Sequence, residues 1–198
     1  MTKTVDYYFT LTSPWTYLGH RRFVEIARRH GAEIRVKPVD YGVIFPQTGG
    51  LPLPKRAPAR QAYRLMELKR WRAQLGIELN LHPKFFPAPA DAAARVVIAA
   101  DQAGGDALGL ALAILTAIWT QEQDIADLPT LTGITNAAGQ DGAALVAASQ
   151  EPETQAAAEA STEEALARGV FGAPTYVYKD ELFWGQDRLE FLDRALAD

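Results

Sequence analysis

Cysteine is missing altogether from these 198 residues. That excludes disulfides, a thiolate nucleophile, cysteine-bound metal and any redox cycle of the chain's own, so sulfur chemistry here would need a thiol brought in by a ligand. Histidine is almost as scarce. His20, His30 and His82 are scattered without the spacing of a ligand set, and no metal site is expected. Positive charge is not in excess either: 20 Lys and Arg against 24 Asp and Glu leave a formal net charge of −4 and no basic footprint for nucleic acid. No apolar run approaches the roughly 20 residues that a membrane helix needs. The opening MTKTVDYYFTL has neither the apolar core nor the small-residue cleavage site of a secretory leader. A cytoplasmic protein with no membrane association is the expectation.

What is present is a chain with 48% apolar residues, enough for one domain, or for a core domain carrying a sizeable insertion. Residues 4–11, TVDYYFTL, are aromatic and β-branched with rough alternation, the pattern of a strand. Ser13-Pro14 then reads as a helix start, Ser as N-cap and Pro as first helical residue. Trp15, Gly19, Phe23, Ile26 and Ala27 recur at helical steps up to Gly31, and residues 33–36 read as a second strand. The spacing predicts a strand, helix, strand unit with a parallel pair.

Residues 39–58 read as a long loop, with QTGGLPLPKRAP crowding prolines and glycines together. Helical patterns follow at 59–75, 92–103, 106–123, 128–138, 142–148 and 153–168. The run at 106–123 is apolar on two faces, as a helix buried between others would be. Strand signals return at 175–178 and 181–184, joined by Lys179-Asp180 as a hairpin, and 187–196 closes with a helix. The order is β-α-β, a helical block, then β-β-α. That order predicts an α/β fold: a thioredoxin-like domain (1–57 and 169–198) with an α-helical domain (58–168) inserted in its middle.

Several motifs in this order carry a resemblance. They are SPWTYLG at 13–19, the loop ending APARQAY at 57–63, RW at 70–71, FP at 86–87, W-x-x-x-x-D-I at 119–125, GVFGAPT at 169–175 and WGQDRLEFL at 184–192. Together they resemble the 2-hydroxychromene-2-carboxylate isomerase family, related to kappa-class glutathione transferases and sharing the inserted-helix thioredoxin fold of DsbA. The resemblance spans nearly the whole chain. It implies glutathione as cofactor, a small aromatic 2-oxo acid or hemiketal carboxylate as substrate, and cis-trans isomerisation by reversible thiolate addition. Relatives include dimers, so a homodimer is one state the resemblance allows.

It also implies roles for particular residues. Ser13 would stand where thioredoxin-like redox proteins carry cysteine and would donate its hydroxyl to the sulfur of bound glutathione; the helix end suits a thiolate as well as a cap. Ala173 and Pro174 would form a cis peptide whose backbone pairs with the cysteinyl part of glutathione, a miniature strand addition. Gln186 and Asp187 would take the γ-glutamyl end, Arg60 the glutathione carboxylate, and Gly50 would lie in the cofactor loop. Lys37 is the candidate for the substrate's carboxylate. Read as plain structure, Asp187 is a helix cap, and Arg60 and Lys37 are solvated cations. Trp15, Tyr17, Phe45, Phe85 and Phe86 are candidates for an aromatic lining, although core packing is the commoner fate of such residues. The chain departs from the family at Gly50 and Pro89, where many relatives have asparagine, and these departures bear on which substrate is used. A glutathione transferase using the same site, or a non-catalytic DsbA-like binding module, are the other readings the motifs allow.

Overall fold

In the computed structural model, which describes residues 2–198, strand β1 (Thr4–Phe9) runs into helix α1 (Pro14–Arg29) and strand β2 (Glu33–Pro38). Helix α2 (Tyr41–Thr48) and a single 3-10 turn (Leu53–Lys55) lead to α3 (Pro58–Leu75), α4 (Asp91–Gln102), α5 (Ala107–Thr120), α6 (Leu128–Ala137), α7 (Gly142–Ala148) and α8 (Pro152–Ala167). The chain then returns to the sheet as β3 (Thr175–Tyr178) and β4 (Glu181–Trp184). A 3-10 turn (Gln186–Arg188) and α9 (Leu189–Ala197) end it. No helix among the described residues is long and apolar enough to cross a membrane.

The four strands lie in the order β2-β1-β3-β4, with β1 and β2 parallel and the other pairs antiparallel. Strand alternation sorts the side chains into two layers. Val5, Tyr7 and Phe9 join Tyr176 and Tyr178 in the main core beneath α1 and α9, whereas Tyr8 and Val177 face a second cluster with Val39, Tyr41, Ile44 and Ala165. Helices therefore cover both faces, which is why five of the six β1 residues are buried. Rings hold the centre: Tyr7 stacks on Phe9 at 4.4 Å and on Tyr176 at 5.3 Å between centroids. The Tyr7 hydroxyl meets Nδ1 of buried His20 at 3.1 Å, and Nε2 of that ring lies 3.1 Å from the Leu108 carbonyl. A carbonyl only accepts, so the proton sits on Nε2. Burial pushes the His20 pKa down to about 4, and the ring is neutral.

The segment after β2 differs from the expected loop. Asp40 caps Gly42 N–H at 2.6 Å and opens α2, which closes at Gly49 in the left-handed region with φ 77°. Pro46 lies inside this short helix, and tertiary packing of Tyr41 and Ile44 against the α8 side of the sheet outweighs its poor propensity. The end of the chain differs as well. Arg188 and not Asp187 stands at the α9 N-cap, because the chain first makes the 3-10 turn after Gly185, whose φ is 99°.

Candidate functional site

A cleft of about 1030 Å³ opens between the sheet end and the helical block. Its walls come from the β1–α1 turn, α2 and the 49–54 loop, the start of α3, residues 86–95, the outer face of α8 and residues 171–173. This is at the upper end of the roughly 300–1,000 Å³ typical of ligand pockets.

At its base stands Ser13, 8% exposed, with extended φ and ψ of −83° and 120°. Its Oγ accepts the Thr16 N–H at 3.1 Å as the N-cap of α1. The hydroxyl proton has no acceptor among the described residues, so the oxygen is fixed by the cap while its proton stays free to donate. Pro14 has no N–H and Trp15 N–H lies in the first turn, before the intrahelical bonds begin. Ser13 O–H and the positive end of α1 thus present a seat for an anion.

The Ala173–Pro174 peptide is cis, and Ala173 lines the same cleft. The Gly172 carbonyl is occupied by the Tyr41 and Thr175 hydroxyls, each at 2.6 Å, and the Pro174 carbonyl by Gly185 N–H at 2.8 Å. Ala173 N–H and C=O make no hydrogen bond among the described residues. An unpaired backbone donor and acceptor on one residue form an edge to which another chain can add.

Of the expected site residues, Ser13, Ala173, Gly50 and Arg60 line this one cleft, and Pro174 adjoins it. Lys37, Gln186 and Asp187 do not line it. Lys37, expected to meet the substrate's carboxylate, is ion-paired within the fold and is not a solvated cation. Its ammonium donates to Glu164 Oε2 at 2.6 Å beside α8, and Glu164 Oε1 accepts from the Tyr8 hydroxyl at 2.7 Å. Burial pushes the Glu164 carboxyl up, but the hydrogen bonds from Lys37 and Tyr8 outweigh it and hold the group below its ordinary range. Gln186 is 2% exposed and its Oε1 is taken by Arg22 of α1 at 2.9 Å. Asp187 is paired with its neighbour Arg188 at 2.7 Å. Close packing of the 3-10 turn on α1 explains the Gln186 placement: a Cβ on Gly19 would lie 2.6 Å from Gln186 Cβ, so that face is filled.

Gly50 has a steric role. A Cβ there would lie 2.2 Å from Phe45 Cδ1, and the Phe45 ring in turn packs on Tyr41 with centroids 5.2 Å apart. Phe45 thus occupies the space a side chain at 50 would take. Of the aromatic candidates, Trp15, Phe45 and Phe86 line the cleft. Tyr17 instead donates to the Glu78 carbonyl at 3.0 Å, and Phe85 lies by a separate depression near α5 and α6.

Sequence reasoning missed Arg56 and Arg64, which line the cleft beside Arg60. Arg56 donates through Nε to the Leu51 carbonyl at 2.7 Å, and the Arg64 guanidinium lies 5.2 Å from the Phe86 ring centroid. Spacing of four residues was the available signal, since it places all three on one side of a helix start.

The chain matches the model of the DSBA-like thioredoxin domain over residues 4–197. A 2-hydroxychromene-2-carboxylate isomerase from Sphingobium xenophagum is 32% identical to it over the whole of both chains. The solved structure of a 2-hydroxychromene-2-carboxylate isomerase superposes with a TM-score of 0.81 at 26% identity, over 98% of this chain and 94% of the other. The cytosolic disulfide reductase DsbM from Pseudomonas aeruginosa, solved with GSH, shares the fold with a TM-score of 0.69 at 18% identity, over 98% of this chain and 100% of the other.

Proposed function

The chain belongs to the 2-hydroxychromene-2-carboxylate isomerase family of DsbA-like thioredoxin domains, and from that premise we propose that it is a glutathione-dependent cis-trans isomerase of 2-hydroxychromene-2-carboxylate or a similar aromatic 2-oxo acid. The observation that carries this reading is Ser13 and Ala173 on one cleft: a capped hydroxyl with a free proton, and an unpaired backbone edge, in a chain without cysteine. The fold's appearance with GSH in DsbM supports the choice of cofactor.

What glutathione supplies when bound is a thiolate that adds reversibly to a conjugated carbon and leaves unchanged. The chain's own residues account for the rest. Ser13 donates its hydroxyl to the sulfur, and the α1 N-terminus favours the anion, so more of the thiol is ionised at neutral pH. Ala173 holds the cysteinyl backbone in register, and Arg60 faces a carboxylate at the cleft rim. Trp15, Phe45 and Phe86 provide apolar wall that limits water around the reacting centre. Bound glutathione would supply a sulfur whose reversible addition lets the substrate's double bond rotate as a single bond, with Ser13 and the α1 N-terminus holding that sulfur and Ala173 the cysteinyl backbone.

The test is to follow isomerisation of 2-hydroxychromene-2-carboxylate by absorbance with and without glutathione, and to titrate total thiol after many turnovers. Glutathione-dependent turnover with thiol conserved is expected. Stoichiometric loss of thiol would assign a transferase, and failure to bind glutathione in calorimetry would leave a non-catalytic binding module.

A further inference from the structure

Three guanidinium groups stand together where a helix disfavours them. Arg56 precedes the α3 N-cap Ala57, Arg60 is in the first turn and Arg64 is one turn further on. The N-cap offers no side-chain acceptor and the first turn holds no acidic residue. A cation in the first turn of a helix opposes its dipole, and none of the three has an ion-pair partner among the described residues. The cleft does carry Asp40, Asp91, Glu159 and Glu163. Asp40 is turned to Gly42 N–H and Glu159 accepts from Gln155 at 3.0 Å. No carboxylate of the cleft, Asp91 and Glu163 included, is ion-paired to these guanidiniums among the described residues, so an anion entering beside the start of α3 would meet Arg56, Arg60 and Arg64 directly.

The three are not equivalent. Arg60 is exposed at the rim, whereas Arg64 is half-buried over Phe86, at the apolar wall that Phe86 and Pro87 share. Cation–π contact holds the Arg64 fork in place before any ligand arrives. An acid with an aromatic body needs this combination, an apolar wall beside a fixed planar donor, while the carboxylate of a flexible tripeptide is served by the rim. Resting on the reading above, we propose that Arg64, flanked by Arg56, binds the carboxylate of the aromatic substrate and makes that carboxylate a requirement, leaving Arg60 for glutathione. Burial and the Arg56 charge push the Arg64 pKa down to about 10, which leaves it charged at neutral pH and gives a bound carboxylate charge to offset.

The test is calorimetric binding of 2-hydroxychromene-2-carboxylate and of its carboxamide to the full chain and to Arg64→Met and Arg64→Lys, with and without S-methylglutathione, which has no free thiol. The intact protein should bind the carboxylate at least 10-fold tighter than the carboxamide. Arg64→Met should shrink that preference below twofold with S-methylglutathione affinity unchanged within twofold, and Arg64→Lys, which keeps the charge but not the fork, should recover part of it. Should S-methylglutathione fail to bind while the carboxylate preference and its loss in Arg64→Met persist, the assignment of Arg64 stands and the glutathione-dependent reading falls. A preference equally large in Arg64→Met, an equal loss of S-methylglutathione affinity in that variant, or no binding of the carboxylate by the intact protein would each overturn the assignment.

Discussion

Replacing Ser13 separates its two roles, because alanine and glycine differ as caps and are alike as donors. In the folded chain Ser13 Oγ accepts the N–H of buried Thr16 at 3.1 Å. Ser13→Ala removes that bond and should cost about 1 kcal/mol, within a range of about 0.5–2 for such caps. For a chain of this size that is a fall in Tm of roughly 2–4 °C. Ser13→Gly should cost only a few tenths of a kcal/mol. Neither variant can donate to a thiolate, and a hydrogen bond to a charged acceptor is worth about 1.5–3 kcal/mol. At about 1.4 kcal/mol per decade this is a loss of about 10- to 150-fold in kcat/KM, the same for both. The assay pairs steady-state isomerisation with thermal unfolding, and adds thiolate absorbance of bound glutathione against pH, where both variants should raise the thiol pKa. If Ser13→Gly kept full activity, or if the activity losses followed the losses in Tm, Ser13 would be a cap only.

Two further outcomes follow from the packing. His20 is neutral in the fold, with its pKa depressed from 6.5 to about 4, so below pH 6.5 the unfolded chain binds the extra proton and stability falls as pH drops through that window. The loss should reach about 2 kcal/mol at pH 5; urea unfolding of the intact protein should show it and His20→Gln should not, and equal slopes in the two would refute the assignment. Gly50→Asn should destabilise by about 1–3 kcal/mol through overpacking against Phe45. That penalty should shrink in a Phe45→Ala background, and a double-mutant cycle with no coupling would show that the loop absorbs the side chain elsewhere.

The strands and helices with a plain pattern were legible in the sequence. The hairpin 175–178 and 181–184 and the helix 142–148 fall where their residues predict, because turn chemistry bounds them on both sides. Helix α2 was not legible, since its cap Asp40 is followed by Gly42 and Pro46 and its stability comes from Tyr41 and Ile44 packing across the sheet. Ser13 and the Ala173–Pro174 peptide were legible through the motifs around them. Lys37 and Gln186 stand away from the cleft lining for a reason the sequence hides: their side chains are engaged by Glu164 and Arg22, 127 and 164 residues away along the chain, and no local pattern reveals such a partner.

Arg56 and Arg64 show the converse. A charge on a helix reads as solvated because most are, and a formal net charge of −4 gives no hint of a positive wall. Electrostatics inside a cleft is set by what lies within a Debye length and by how much water is excluded, so the whole-chain sum is the wrong quantity. Here Asp40 and Glu159 are held to a backbone and a side-chain amide, Arg64 lies over an aromatic ring, Arg56 donates to a carbonyl, and no carboxylate is ion-paired to the α3 arginines among the described residues. That division leaves one helix end, α1, capped by Ser13 with the hydroxyl proton free, and another, α3, crowded with cations on the same cleft. Under the proposed function the first end would take the thiolate and the second the carboxylate, and reversible addition of a thiol to an unsaturated acid would bring both.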